Sequence, residues 1–144
     1  MIYIKLHGRL GNHLFQIAAT SFLAKENNSD FIAFCHEDYI LAEPDNCYIW
    51  EYIEPYSKNI FKNLQILSKK PKVNFSILYK QKSFEFHPIT FKQNMMIDGG
   101  FQSYKYFTKD HATEIFKIPK EVNSKIIKTY SDLINKNLIS INVR

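Results

Sequence analysis

Residues 2–35 run strand, glycine loop, helix, strand, and that order leaves few folds open. IYIKL, at 2–6, is short, apolar and rich in β-branched residues, the look of a buried parallel strand. His7-Gly8 stops it. The spacing then predicts a helix over 12–26, NHLFQIAATSFLAKE, with Phe15, Ala18, Ala19, Phe22 and Leu23 on one stripe. Ala18 and Ala19 are small enough to let that helix lie close on a sheet. Asn12 is the expected cap at its start, and Asn27-Asn28 the expected stop. FIAFC, at 31–35, reads as a second strand. Two short strands joined by one helix form a βαβ unit, which predicts an α/β fold with a parallel sheet.

The rest of the chain extends that pattern less evenly. A short helix is expected over 58–67, an exposed loop over 67–74, and strands in FSILY (75–79) and SFEF (83–86). NMMIDGGF, at 94–101, reads as a strand ending in a glycine turn. Thr108 is expected to cap a helix over 108–117, with Asp110 in its first turn. Pro119 opens another helix over 119–136, with Val122, Ile126, Ile127, Tyr130, Leu133 and Ile134 as its apolar stripe. LISINV, at 138–143, reads as a buried strand. There are no internal repeats. At 144 residues, 45% of them hydrophobic, the chain suits one domain with a sizeable core.

Glycine and arginine are scarce, and their placement points to a binding loop. The chain has four glycines, where ordinary usage gives about ten. Gly8 and Gly11 bracket Arg9 just after the first strand, and Gly99 and Gly100 follow another apolar run. The only other arginine, Arg144, ends a third. A glycine lets backbone turn tightly or approach a ligand, and an arginine fork matches phosphate. The loop HGRLGNH, at 7–13, precedes a helix N-terminus, where free N–H groups and the helix dipole favour an anion. Gly11 is expected to sit in a tight turn of positive φ. The loop is neither a Walker loop nor a complete dinucleotide fingerprint. A plain strand–helix turn with an exposed arginine is the alternative reading.

Other features narrow the partners. Net charge is +5, but the lysines are scattered, so a solvated basic surface is expected rather than a nucleic-acid site. Cys35 and Cys47 have no metal spacing and read as free thiols. His7 and His13 fit no metal motif, and no metal site is expected. A general base is sought among Glu37, Asp38, Glu43, Asp45, Glu51, Glu54, Glu85 and Asp98; only Asp98 lies beside a motif. No cleavable signal and no run of about 18 apolar residues is evident, so the expected location is cytoplasmic, with peripheral membrane contact left open.

Three segments together resemble one enzyme family. HGRLGNHLFQIAATSFLAKENN is similar to the opening GGLGNQ-F-Q-A segment of bacterial-type α-1,2-fucosyltransferases (glycosyltransferase family 11). DGGFQSYKYF resembles their G-Y-F-Q-S-x-K-Y-F segment, and LISINVR the strand entering their H-x-R-R-G-D-Y motif. GRLGN is also similar to the GRFGN loop of protein O-fucosyltransferases. The resemblance implies a GT-B architecture of two Rossmann-like domains. It implies inverting transfer of fucose from GDP-fucose to a galactose hydroxyl, with no cofactor and no obligatory metal. Residues 1–144 would form the N-terminal, acceptor-side α/β domain, and the C-terminal donor-nucleotide domain would be absent from this chain. Transfer would then require the longer protein, the present chain being inactive by itself. The donor and its phosphates would meet Gly8, Arg9, Gly11, Asn12, His13, Asn142 and Arg144, and Arg144 would stabilise the leaving pyrophosphate. Gln102 and Ser103 would touch the galactose-terminated glycan acceptor, while Phe101, Tyr104 and Phe107 would be core residues around a turn. The family's histidine is Asn142 here, and its glutamine after GLGN is His13. A non-catalytic carbohydrate- or phosphate-binding α/β module is the alternative.

Overall fold

The computed structural model describes residues 1–36, 40 and 47–132. The described residues form an α/β fold with a five-stranded all-parallel sheet of Rossmann-like character. Its strands are β1 (Ile2–Leu6), β2 (Phe31–Cys35), β3 (Ile66–Leu67), β4 (Ile77–Lys80) and β5 (Met95–Asp98). The helices are α1 (Leu10–Glu26), α2 (Ile49–Ser57), α3 (Lys109–Ile115) and α4 (Lys120–Thr129). The strand order is β3-β2-β1-β5-β4. β1 therefore lies at the centre, with Ile4 opposite Ala33 on one side and Ile97 on the other. A strand flanked on both sides and covered on both faces must be apolar almost throughout, and Ile2, Ile4 and Leu6 are fully buried.

α1 begins two residues earlier than the sequence suggests. Arg9 is the N-cap residue, in extended conformation and with no side-chain cap hydrogen bond. Asn12 sits inside the first turn, so it is not the cap. The helix end is as expected. Asn28 takes a left-handed conformation (φ 47°), its N–H donates to the Lys25 carbonyl, and the Ser29 N–H donates to the Ala24 carbonyl. These are the paired bonds of a Schellman stop. The buried face differs from the predicted stripe. Gln16, Ile17, Ala18, Ala19 and Thr20 are buried, whereas Phe15 and Leu23 are only partly covered. Buried hydroxyls on this helix are satisfied locally: Thr20 Oγ1 donates to the Gln16 carbonyl at 2.7 Å, and Ser21 Oγ to that of Ala18 at 3.1 Å. α3 covers α1 from outside, and Ser21 Oγ lies 2.8 Å from His111 Nε2.

Between β2 and β4 the sequence reading needs correction. Instead of a helix over 58–67, α2 precedes it, anchored by buried Ile49 and Ile53 four residues apart. Glu51 caps it by accepting the Tyr48 N–H at 3.0 Å. Pro55 lies in its last turn, and 58–65 continue as turns before β3. SFEF forms no strand, because Ser83 Oγ accepts the Glu85 N–H at 3.2 Å and turns the backbone. FSILY and NMMIDGGF do supply strands, β4 and β5.

At the C-terminal side, Thr108 caps α3 by accepting the His111 N–H at 3.2 Å. α4 starts after Pro119 and ends at Thr129, and its stripe of Val122, Ile126, Ile127 and Tyr130 is exposed. Of the residues 101–107, Phe101 is buried as expected, but Tyr104 is exposed and Tyr106 takes its place in the core. The reason is a short 3-10 turn over Tyr104–Tyr106, whose tighter winding turns Tyr106 inward against the Phe101 ring, 5.3 Å between centroids. Leu133, Ile134, the strand 138–143, Asn142 and Arg144 lie outside the described residues, as do Glu37, Asp38, Glu43 and Asp45. Among the described residues, no helix is long and apolar enough to cross a membrane.

Candidate functional site

The two halves of the sheet meet where β1 lies beside β5, and the chain passes between them from β3 at one edge to β4 at the other. β2 and β3 extend away on one side, β5 and β4 on the other. The loops that follow β1, β5 and β4 open a crevice beyond the carboxyl ends of these strands. Here the crevice is about 550 Å³. His7 and Asn12 line it from the β1 side, Asp98, Gly99, Gly100 and Gln102 from the β5 side, and residues 80–84 from the β4 side.

The β1 exit is tightly specified. Gly8 has φ +74°, and a Cβ there would collide with the Asn12 amide folded over it. Asn12 Oδ1 in turn accepts a hydrogen bond from Gln102 Nε2, joining the two glycine-bearing segments across ninety positions of sequence. Buried Gln16 brackets the His7 backbone, accepting its N–H at 3.2 Å and donating to its carbonyl at 3.1 Å. Gly11 is a different case. It lies in the first turn of α1, it has no left-handed φ, and a Cβ there would meet nothing within 4 Å. The expected positive-φ turn belongs to Gly8.

The β5 exit is held by Gln81. Its N–H donates to the Asp98 carbonyl at 2.8 Å, and its Oε1 accepts the Phe101 N–H at 2.9 Å. A Cβ at Gly99 would clash with the Gln81 side chain, so the close approach requires glycine. The left-handed residue of this turn is Phe101 (φ 50°), fixed by full burial of its ring. Gln81 Nε2 is buried without a protein acceptor.

Charge is concentrated where β1 meets β5. In parallel register Ile4 faces Ile97, which brings Lys5 to Asp98, and their side chains form an ion pair of 2.7 Å. His7 Nε2 lies 3.9 Å from the other Asp98 oxygen. The His7 imidazole is held below its ordinary 6.5, chiefly by burial. Asp98 and a backbone hydrogen bond at Gly99 oppose that shift, while Lys5 adds to it. His7 is therefore neutral at pH 7 and able to take a proton, whereas the Asp98 carboxylate is committed to Lys5.

The predicted site residues divide into groups. Asn12 and Gln102 meet in the crevice, with Gly8 beneath Asn12. Arg9 and Gly11 are exposed on the first turn of α1 and do not line it. His13 is fully buried and faces α2, its ring 6.1 Å from that of Tyr52. Ser103 caps the 3-10 turn by accepting the Lys105 N–H, a structural task. His7, Gln81 and Phe84 were not singled out from sequence as ligand contacts. The available signal was positional: they follow β1 and β4, and strand ends face the crevice. Cys35 is buried at the end of β2, its thiol pushed up to about 12 by burial, and both cysteines are free.

Chemically, the crevice offers three carboxamides, a hydroxyl from Ser83, a neutral imidazole, the Asp98 carboxylate paired with Lys5, the ammonium groups of Lys80 and Lys82, and one exposed aromatic ring. Such a set suits a ligand bearing several hydroxyl groups. Comparison with protein-family models, curated proteins and solved structures returns no match.

Proposed function

We propose that this chain is the acceptor-side domain of a GDP-fucose-dependent galactoside α-1,2-fucosyltransferase of GT-B architecture. The observation that carries the reading is the Asn12–Gln102 hydrogen bond. It unites, in one crevice at the sheet's carboxyl edge, the two segments whose sequences resemble that family.

In this reading a terminal galactose enters the crevice and hydrogen-bonds to the Asn12 and Gln102 amides. Its hydroxyl oxygen attacks the anomeric carbon of fucose from the side opposite GDP. The bond from that carbon to the phosphate oxygen breaks, and its electron pair leaves with GDP. The hydroxyl proton passes to neutral His7, whose ring is set by its Gly99 contact and whose backbone is fixed by Gln16. Arg144 and the first turn of α1, from Arg9 to Asn12, serve the phosphates, an arginine fork stabilising charge as it develops on the leaving group. The resemblance assigns the guanosine to a second domain.

Titration of the ¹⁵N-labelled chain with methyl β-galactoside tests the acceptor assignment. Saturable shifts at the side-chain amides of Asn12 and Gln102 are expected. Shifts confined to distant residues, or none at millimolar saccharide, overturn it.

A further inference from the structure

Phe84 is 81% exposed although it lines a crevice otherwise walled by amides and charged groups. Placed beside groups that can hydrogen-bond hydroxyls, the ring offers a flat apolar face to a ligand in the crevice. Its backbone is not loose. On one side Gln81 is tied to Asp98 and Phe101. On the other, Ser83 Oγ accepts the Glu85 N–H and lies 3.1 Å from His87 Nε2. The ring is thus presented from an anchored turn.

We propose that Phe84 is the stacking platform of a saccharide subsite, against which a neutral pyranose ring lays its C–H face while its hydroxyl rim meets the carboxamides of Asn12, Gln81 and Gln102. The proposal deepens the saccharide reading above and rests on it. A pyranose is amphipathic in that sense: hydroxyls ring its edge, and a galactopyranose carries its axial hydroxyl on one face and a patch of C–H bonds on the other. It needs one flat apolar surface and several neutral hydrogen-bonding groups, and the crevice provides both. Gln81 Nε2, which has no protein acceptor, supplies a donor whose partner is still to be met. A guanine base would also stack on the ring. Its N–H edge is best met by a carboxylate, however, and the two Asp98 oxygens face Lys5 at 2.7 Å and His7 at 3.9 Å.

The test uses the whole chain, with methyl β-galactoside, methyl β-glucoside, methyl α-mannoside and guanosine monophosphate as probes. Phe84→Ala removes the platform, and the exposure of the site spares the fold, which circular dichroism verifies. Phe84→Trp restores it and serves as a reporter against the single native tryptophan, Trp50. Phe84→Ala is expected to weaken galactoside binding by about tenfold, the loss of one aromatic contact. Phe84→Trp is expected to bind like the parent and to change its emission on saturation. Equal binding by parent and Phe84→Ala overturns the platform while leaving the galactoside reading intact. Phe84-dependent binding of glucoside or mannoside but not galactoside supports the platform and overturns the galactoside reading. Saturation by guanosine monophosphate alone, or by none of the probes, overturns the proposal.

Discussion

Two glycines three positions apart do opposite things. Gly8 is required by its φ of +74° and by the Asn12 amide lying over it. Gly11 is an exposed helical residue with open space where a side chain would go. Gly8→Ala is therefore expected to lower stability by roughly 1–3 kcal/mol, combining left-handed strain with displacement of Asn12. Gly11→Ala is expected to match the parent or gain up to about 1 kcal/mol, since alanine is the better helix former. Urea titration of both variants checks the pair, and a Gly11→Ala protein as weakened as Gly8→Ala would refute the assignment. At the neighbouring His7 the charges can be read out directly. Its ring should titrate below 6.5 by NMR. Asp98→Asn should lower that midpoint further, because the carboxylate is what favours the cation, and Lys5→Met should raise it. The sequence singled out Gly8, Asn12 and Gln102 as candidates, and the structure places Asn12 over Gly8 and against Gln102. The sequence did not distinguish Gly8 from Gly11, since the left-handed position depends on where the helix starts, and the missing side-chain cap at Arg9 concealed that start.

The element that organises the site is the junction of β1 with α1. Gln16 lies two turns into the helix, fully buried, and satisfies both polar groups of the His7 peptide. That contact converts an apolar helix–sheet interface into one with a fixed rotation. Gln16→Leu keeps the size and raises hydrophobicity, yet leaves a partly buried N–H and C=O without partners. A loss of roughly 1–3 kcal/mol is expected, with faster amide exchange at His7 than along β1. Unchanged exchange at His7 would mean that the bracket does not hold the loop. Strand and helix periodicity made β1, β2, β5 and α1 readable, and Thr108 announced α3. α2 was misplaced because proline usually breaks helices, and Pro55 falls in a last turn where the break is tolerated. Gln16 was invisible as a site-builder because a lone glutamine in a helix carries no periodic signal. Phe84 and Gln81 were hidden for the converse reason: the apparent strand at 83–86 is a serine-directed turn, and only the sheet topology brings it to the crevice.

Across the whole molecule, three histidines share one property that the composition alone would not suggest. His7, His13 and His111 all lie below their ordinary value, each chiefly through burial. His13 is the extreme case, lowered from 6.5 to about 4. It is fully buried, and neither ring nitrogen has a partner within hydrogen-bonding geometry. The Gly8 backbone favours its charged form, nearby His7 disfavours it, and burial outweighs both. An imidazole depressed in the folded state binds protons more readily once the chain unfolds, so stability must rise with pH across the interval between the two values. The contribution of His13 is complete above about pH 6.5 and is lost as pH falls toward about 4. For a group this buried the shift corresponds to roughly 3 kcal/mol, and His7 and His111 act with the same sign. The expected result is a melting temperature that declines steadily from pH 7 to pH 4, before most carboxylates are protonated. His13→Gln removes the largest of these titrations and supplies an amide at the same depth in the helix. Its melting curve should be flatter over that interval, by an amount matching the His13 share. If His13→Gln and the parent lose stability in parallel between pH 6.5 and 4, the acid sensitivity lies elsewhere and the His13 ring is not held neutral by the fold.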